Sequence, residues 1–163
     1  MKSNQQDIRL TALVVISTLL IVGLIVSAVG GNSVNLYGFS AVVYCAAIAI
    51  GVQWLAWLPA SLRQTERFYD ITGGLTYLAV IGFSLWAGSQ TEPPSPREWI
   101  ISLLVAIWSL RLSSFLYIRI HRTGKDGRFD ELKTSPTRFL VPWTLQGLWV
   151  FLTMNVVIVI NSQ

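Results

Sequence analysis

The sequence predicts an all-α polytopic membrane protein. It reads as a transmembrane bundle of about five spans forming one membrane domain over residues 1–163, with the N-terminus in the cytoplasm. Three observations carry this reading. Of the 163 residues, 53% are hydrophobic and 12% charged, where a soluble domain has about 25% charged. A soluble chain this short would have to expose a large apolar surface. No charged residue occurs between Arg9 and Arg63. Nine of the twenty charged residues lie between Arg119 and Arg138, flanked by apolar runs long enough to cross a bilayer.

The first span covers about 10–29. Lys2 and Arg9 precede it, and Val26-Ser27-Ala28 has the small-residue look of a cleavage site. The apolar run exceeds the roughly 7–15 residues of a secretory signal, so it reads as a retained helix. The turn-prone Gly30-Gly31-Asn32-Ser33 separates it from a second span, about 36–58, which stops at Pro59. The third span, about 71–86, is the shortest. A polar loop with Pro93, Pro94 and Pro96 leads to a fourth, about 99–118. The loop 119–138 follows, then a fifth span, about 139–160. Each approaches the roughly 20 residues needed to cross a hydrocarbon core of about 30 Å. Tyr37, Trp57, Trp86, Trp99 and Trp143 fall near run ends, as an interfacial aromatic belt would place them.

Lysine and arginine set the orientation. With the N-terminus inside, ten of the twelve fall in cytoplasmic segments, Arg97 alone falls outside, and Arg111 lies within the fourth span. That asymmetry follows the positive-inside rule. The basic residues are confined to loops and do not form a patch interleaved with aromatics, so nucleic acid is not an expected partner. Membrane lipids are.

Charge in lipid is costly, so the charged residues bordering the spans are the candidates for chemistry. The short segment from Arg63 to Asp70 places four charges in eight residues beside Gly73-Gly74. If helical, it puts Glu66 and Asp70 on one face, able to bind a cation, accept a proton or pair with arginine. Arg111 lies about 12 Å before Arg119, too far to snorkel easily. It is expected to face the bundle interior and meet a carboxylate or an anionic ligand. Tyr77, Gln53 and Gln146 are polar residues in other spans that can line the same interior. In the loop, Lys125-Asp126-Gly127-Arg128 offers donors to a phosphate, and Phe129-Asp130-Glu131 adds an aromatic and two carboxylates. No Walker or Gly-x-Gly-x-x-Gly pattern is present. His121 reads as a hydrogen-bonded surface group and Cys45 as a packed core residue. No metal site is expected, since no H-x-x-x-H or C-x-x-C spacing occurs.

Three segments carry a family resemblance: Glu66 to Leu78 (ERFYDITGGLTYL), Gly124 to Lys133 (GKDGRFDELK) and Arg138 to Phe151 (RFLVPWTLQGLWVF). They resemble the bacterial DUF1295 membrane proteins, a family grouped with the steroid 5-alpha-reductase C-terminal domain and, more distantly, with isoprenylcysteine carboxyl methyltransferases. The resemblance covers roughly Gln53 to Asn161. It implies a multi-pass protein of the bacterial inner membrane that uses NADPH to reduce a double bond in a lipid or isoprenoid substrate. In that reading Glu66, Asp70 and Tyr77 are the acids and donors of the reaction, and Arg111, Lys125 and Arg128 hold the anionic cofactor. Family members continue into helices bearing a segment resembling SRHPNYFGE, which supplies much of the cofactor site. This sequence stops at Gln163, so the resemblance implies the N-terminal part of the fold and an incomplete site. The alternative is a non-enzymatic subunit or scaffold that assembles with a membrane protein partner. A small transporter is the weakest reading, because no duplicated half or pair of broken helices appears.

Overall fold

The computed structural model describes residues 2–162, with side chains described from Gln5 onward. Five helices dominate: α1 (Lys2–Val29), α2 (Ala41–Leu62), α3 (Tyr69–Gly88), α4 (Pro96–Thr123) and α5 (Pro136–Asn161). All five are long and apolar enough to cross a membrane, and the protein is membrane-embedded. As expected, the third is the shortest, at 20 residues.

Helix boundaries depart from the expected spans where composition and backbone geometry disagree. Residues from Leu36 are apolar but do not begin α2. They form a hairpin in which β1 (Asn35–Leu36) pairs antiparallel with β2 (Phe39–Ser40). Its two central residues, Tyr37 and Gly38, have φ of 49° and 91°, the left-handed values that a tight two-residue turn requires. Pro59 does not end α2, which runs on to Leu62. Proline removes its own N–H but keeps its carbonyl, and the Arg63 N–H donates to Pro59 O at 3.1 Å. α4 likewise outruns its apolar stretch by five residues, carrying Arg119, His121 and Arg122 on helix. It ends where Gly124 adopts φ 80°, a left-handed cap that glycine takes without steric cost. At its start, Ser95 and Glu98 form a reciprocal capping box ahead of Pro96 at the first helical position. Basic residues in the last turn of α4 complement its dipole.

The core lies among α2, α3 and α5, where Val42, Cys45, Ala49, Val80, Phe151, Met154 and Ile158 are wholly inaccessible. α1 packs on α5 and α4 on α3, so both flank the core and leave long apolar faces outward. Small residues allow close approach. A Cβ on Gly147 would stand 2.9 Å from Ala49 O, and one on Gly88 would overlap the Asn161 carbonyl. Membrane helices associate through such close packing.

Each end is tied together differently. At the end holding the 89–95 loop, Asn161 Nδ2 donates to Ser84 Oγ and Ser102 Oγ, both at 2.9 Å, joining α3, α4 and α5. The Val34 N–H donates to Ser162 O at 2.7 Å. At the opposite, basic end, Asp7 of α1 lies 3.7 Å from Arg138, and Thr11 Oγ1 donates to Thr137 O. The N-terminal part of α1, the 63–68 turn and the 124–135 loop therefore share one end.

Trp143 is corrected by the structure. It is fully buried against Ala60, Phe129 and Phe139 rather than placed in an interfacial belt. Tyr37, Trp86 and Trp99 are exposed. Cys45 is buried, as expected of a packed core residue.

Candidate functional site

The α4–α5 connection is a folded cap. Phe129 is 5% exposed and inserts among Tyr69, Phe139 and Trp143, with its ring centroid 4.9 Å from that of Tyr69. Two short 3-10 turns, Gly127–Phe129 and Leu132–Thr134, carry Arg128 and Lys133, and Asp126, Asp130 and Glu131 flank them. Asp126 caps the first, accepting the Arg128 N–H at 3.1 Å. Its carboxylate also takes a fork of hydrogen bonds from the Arg128 guanidinium, and Arg119 approaches to 3.7 Å. The hydrogen bond from Arg128 holds the Asp126 carboxyl below its ordinary range, against the opposing effect of burial.

Glu66 clamps this cap to the α2–α3 turn. Its side chain is 3% exposed and pairs with Lys133 at 3.1 Å, while its other oxygen accepts the Asp126 N–H at 3.1 Å. Lys133 also pairs with Asp130. Burial alone would lower the Lys133 pKa, but the bonds to Asp130 and Glu66 outweigh it and raise the value. The expected pairing of Glu66 with Asp70 on one helix face does not form. Residues 63–68 are a turn, with Gln64 at φ 48°, and α3 begins only at Tyr69. Glu66 thus serves as a structural clamp outside the cleft described next.

Beneath the cap, α3, α4 and α5 enclose a cleft of about 480 Å³. Asp70 and Arg128 lie at its basic end. Tyr77, Ser109, Ser113 and Gln146 supply polar groups along it, and Trp108, Leu112, Leu145 and Trp149 supply apolar walls. Gly73 and Gly74 give it depth. A Cβ on Gly73 would meet Gln146 Nε2 at 2.5 Å, and one on Gly74 would overlap Ser113. Because α4 packs mainly on α3, the wedge between α4 and α5 opens sideways. Leu112, Leu145 and Trp149 are each more than 40% exposed there, so the cleft faces the surrounding membrane.

The polar groups differ in how far they are satisfied. Asp70 is half-buried and, among the described residues, has neither a hydrogen bond nor an ion pair. Tyr77 OH bonds to Thr153 Oγ1 at 2.7 Å and its ring stands edge-on to Trp108. Gln146 Oε1 is buried with no partner. Tyr69 OH donates to Pro142 O at 2.9 Å, fixing the wall.

The six candidate residues therefore divide. Asp70, Tyr77 and Arg128 meet in the cleft, Glu66 clamps the cap, and Lys125 pairs with Asp130 on its outer side at 3.3 Å. The expectation for Arg111 is corrected. Its side chain is exposed on the outward face of α4 beside Trp108 and Phe115, because Ser109 and Ser113, not Arg111, occupy the face turned toward α3. Gln53 also stays out of the cleft. It is fully buried and donates to Thr76 Oγ1 at 2.8 Å. Ser109, Ser113 and Trp149 escaped the sequence reading. The four-residue spacing of the two serines was their signal, marking one small polar stripe on an apolar helix. His121 contacts its own helix at Tyr117 O and remains exposed. Among the described residues, no cluster of His, Cys, Asp or Glu could hold a metal.

Neither characterised proteins nor solved structures gave a match. The family pattern described as "Protein of unknown function (DUF1295)" covers residues 56–163, from the last two turns of α2 through the cap, the cleft helices and α5. The chain belongs to the DUF1295 family.

Proposed function

We propose that the cleft binds an amphiphilic, lipid-like substrate and that the protein is a reductase-like enzyme of the bacterial inner membrane. The observation that carries this is the sideways opening with Asp70 left unpaired at its polar end. An apolar tail can enter between α4 and α5 from the lipid, while a polar head reaches Asp70, Gln146 and Tyr77. Burying an unpaired polar group costs free energy unless it gains a hydrogen bond, which favours a ligand offering donors to Asp70 and Gln146 Oε1. The basic end faces the cytoplasm under the positive-inside rule.

NADPH is the proposed reductant, by the family resemblance. The residues present fit its anionic part. Arg128 is 65% exposed and Lys125 71% exposed on the same loop, and each keeps donors beyond those given to Asp126 and Asp130. Arg128 and Lys125 would hold a phosphate there. When bound, the cofactor supplies a hydride. The chain's own contribution is to position the substrate and manage a proton. Tyr77 OH can donate to a substrate oxygen deep in the cleft by turning its single proton from Thr153 Oγ1 to the substrate. Asp70 orients the head about 10 Å nearer the basic end, seven helical residues away. The cap over the cleft keeps water from the reacting region.

The test is NADPH titration of purified protein in lipid nanodiscs, read by nicotinamide fluorescence. The expected result is saturable binding weakened roughly tenfold by Arg128→Ala and unchanged by Asp70→Asn. A fluorescent lipid analogue should show the opposite dependence, weakening in Asp70→Asn. Absence of any nucleotide affinity in a folded sample would remove the reductase reading, and lipid binding indifferent to Asp70 would remove the cleft.

A further inference from the structure

Arg111 is a cation on the wrong face for a solitary bundle. α4 turns Ile100, Leu104, Ile107, Arg111, Ser114 and Ile118 outward, all exposed. Their spacing alternates four and three residues, which is the seam by which one helix packs along another. Arg111 and Ser114 sit in the middle of that seam.

Lipid alone does not satisfy this arrangement. Arg111 is eight residues from Arg119 and fourteen from Arg97, about 12 Å and 21 Å along the axis. The Cα–Cβ bond of a helical residue tilts toward the helix N-terminus, so its stem starts away from the nearer headgroup region. A charge held at this depth is costly unless paired. Within the chain no pairing arises: Arg111 has no ion pair among the described residues. A second copy offers no remedy. Of the eight Asp and Glu residues, only Asp7, Asp70 and Glu98 lie on the five helices, each within the first two turns and so near a membrane face, not at the depth of Arg111. Beside Arg111 the surface is concave, a hollow of about 230 Å³ lined by Trp108, Leu112 and Phe115, which can seat an incoming side chain.

We infer that the outward seam of α4 is a docking surface for a transmembrane helix of a partner protein that places a carboxylate at the depth of Arg111. The apolar positions of the seam pack against that helix, Ser114 permits close approach, and the carboxylate neutralises the guanidinium out of water. The hollow beside Arg111 shares Trp108 and Leu112 with the cleft wall, but the docking does not depend on the chemistry of Asp70, Tyr77 or Arg128.

The test uses the protein in lipid bilayers with a leucine-based transmembrane peptide carrying one Asp at its centre, association being read by fluorescence transfer. The Asp peptide is expected to associate roughly tenfold more tightly than an all-Leu peptide. Arg111→Leu abolishes that preference and Arg111→Lys retains most of it. A peptide whose Asp is moved two turns toward either end loses the preference on the unaltered protein, so the depth requirement stands even if Arg111→Leu fails to fold. Equal association of the Asp and Leu peptides overturns the inference. So does a preference that survives Arg111→Leu, or self-association of the protein that occupies the seam without peptide.

Discussion

At the scale of single residues, charge type did not decide role; surroundings did. Glu66 and Asp70 are carboxylates four positions apart, yet one is fully engaged and the other free. Glu66 lies in a turn whose geometry brings Lys133 and the Asp126 N–H to it, while Asp70 points into a cleft that supplies no partner. The cap's ion pairs make a pH prediction. Asp126 is held below its ordinary value of 3.8, chiefly by the hydrogen bond from Arg128. Asp130 is held below it by hydrogen bonds from Lys133 and Lys125. A carboxyl with a depressed folded value contributes stability above its unfolded value and loses it as pH falls through the folded one. Amide protection across residues 124–134, taken relative to the unfolded exchange rate at each pH, should therefore hold from neutral pH down to about 4 and fall only below that. Loosening that begins near pH 6 would show that these pairs do not hold the cap.

At the scale of elements, glycine marks where helices touch. Gly147 faces Ala49 O and Ile50 across the α2–α5 contact, whereas Gly82 has nothing within 4 Å of an added Cβ. Gly147→Ala should force α2 and α5 apart and cost about 1–3 kcal/mol, as overpacked cores do. Gly82→Ala should be neutral or stabilising by up to about 1 kcal/mol, from helix propensity alone. Thermal unfolding in mild detergent distinguishes them, and equal effects would mean that α2 and α5 are not packed this closely. Apolar runs locate the helices but not all of their ends, for a physical reason. Hydropathy reports where lipid ends; hydrogen bonding and backbone conformation report where a helix ends. Thus α4 continues past its apolar stretch to Gly124, and Leu36 to Ser40 form a hairpin despite their apolar character.

At the scale of the whole molecule, hydrogen bonds and ion pairs agree with the charge count. Asp7–Arg138 and Thr11–Thr137 place the start of α1 beside the basic cap, and Val34–Ser162 closes the other end. Cys45, the lone cysteine, is buried, so the unaltered protein should resist a membrane-impermeant thiol reagent. Lys125→Cys and Gln90→Cys should then label from opposite faces of sealed inverted and right-side-out vesicles. Labelling of both from one face would overturn the five-span arrangement.

Alone, the sequence determined that the chain is helical, that it crosses a membrane about five times, and which loops carry its charge. Those properties follow from the cost of charge and of unpaired backbone in lipid, which acts on composition and order along the chain. It also pointed to Asp70, Tyr77 and Arg128 without showing that they meet. The tertiary structure decided the rest: that Glu66 clamps and Asp70 stays free, that Ser109 and Ser113 turn inward, and that Arg111 turns out. Facing is a property of helix rotation and neighbour choice, and the apolar faces of α4 are too alike in composition for sequence to tell which one α3 would cover.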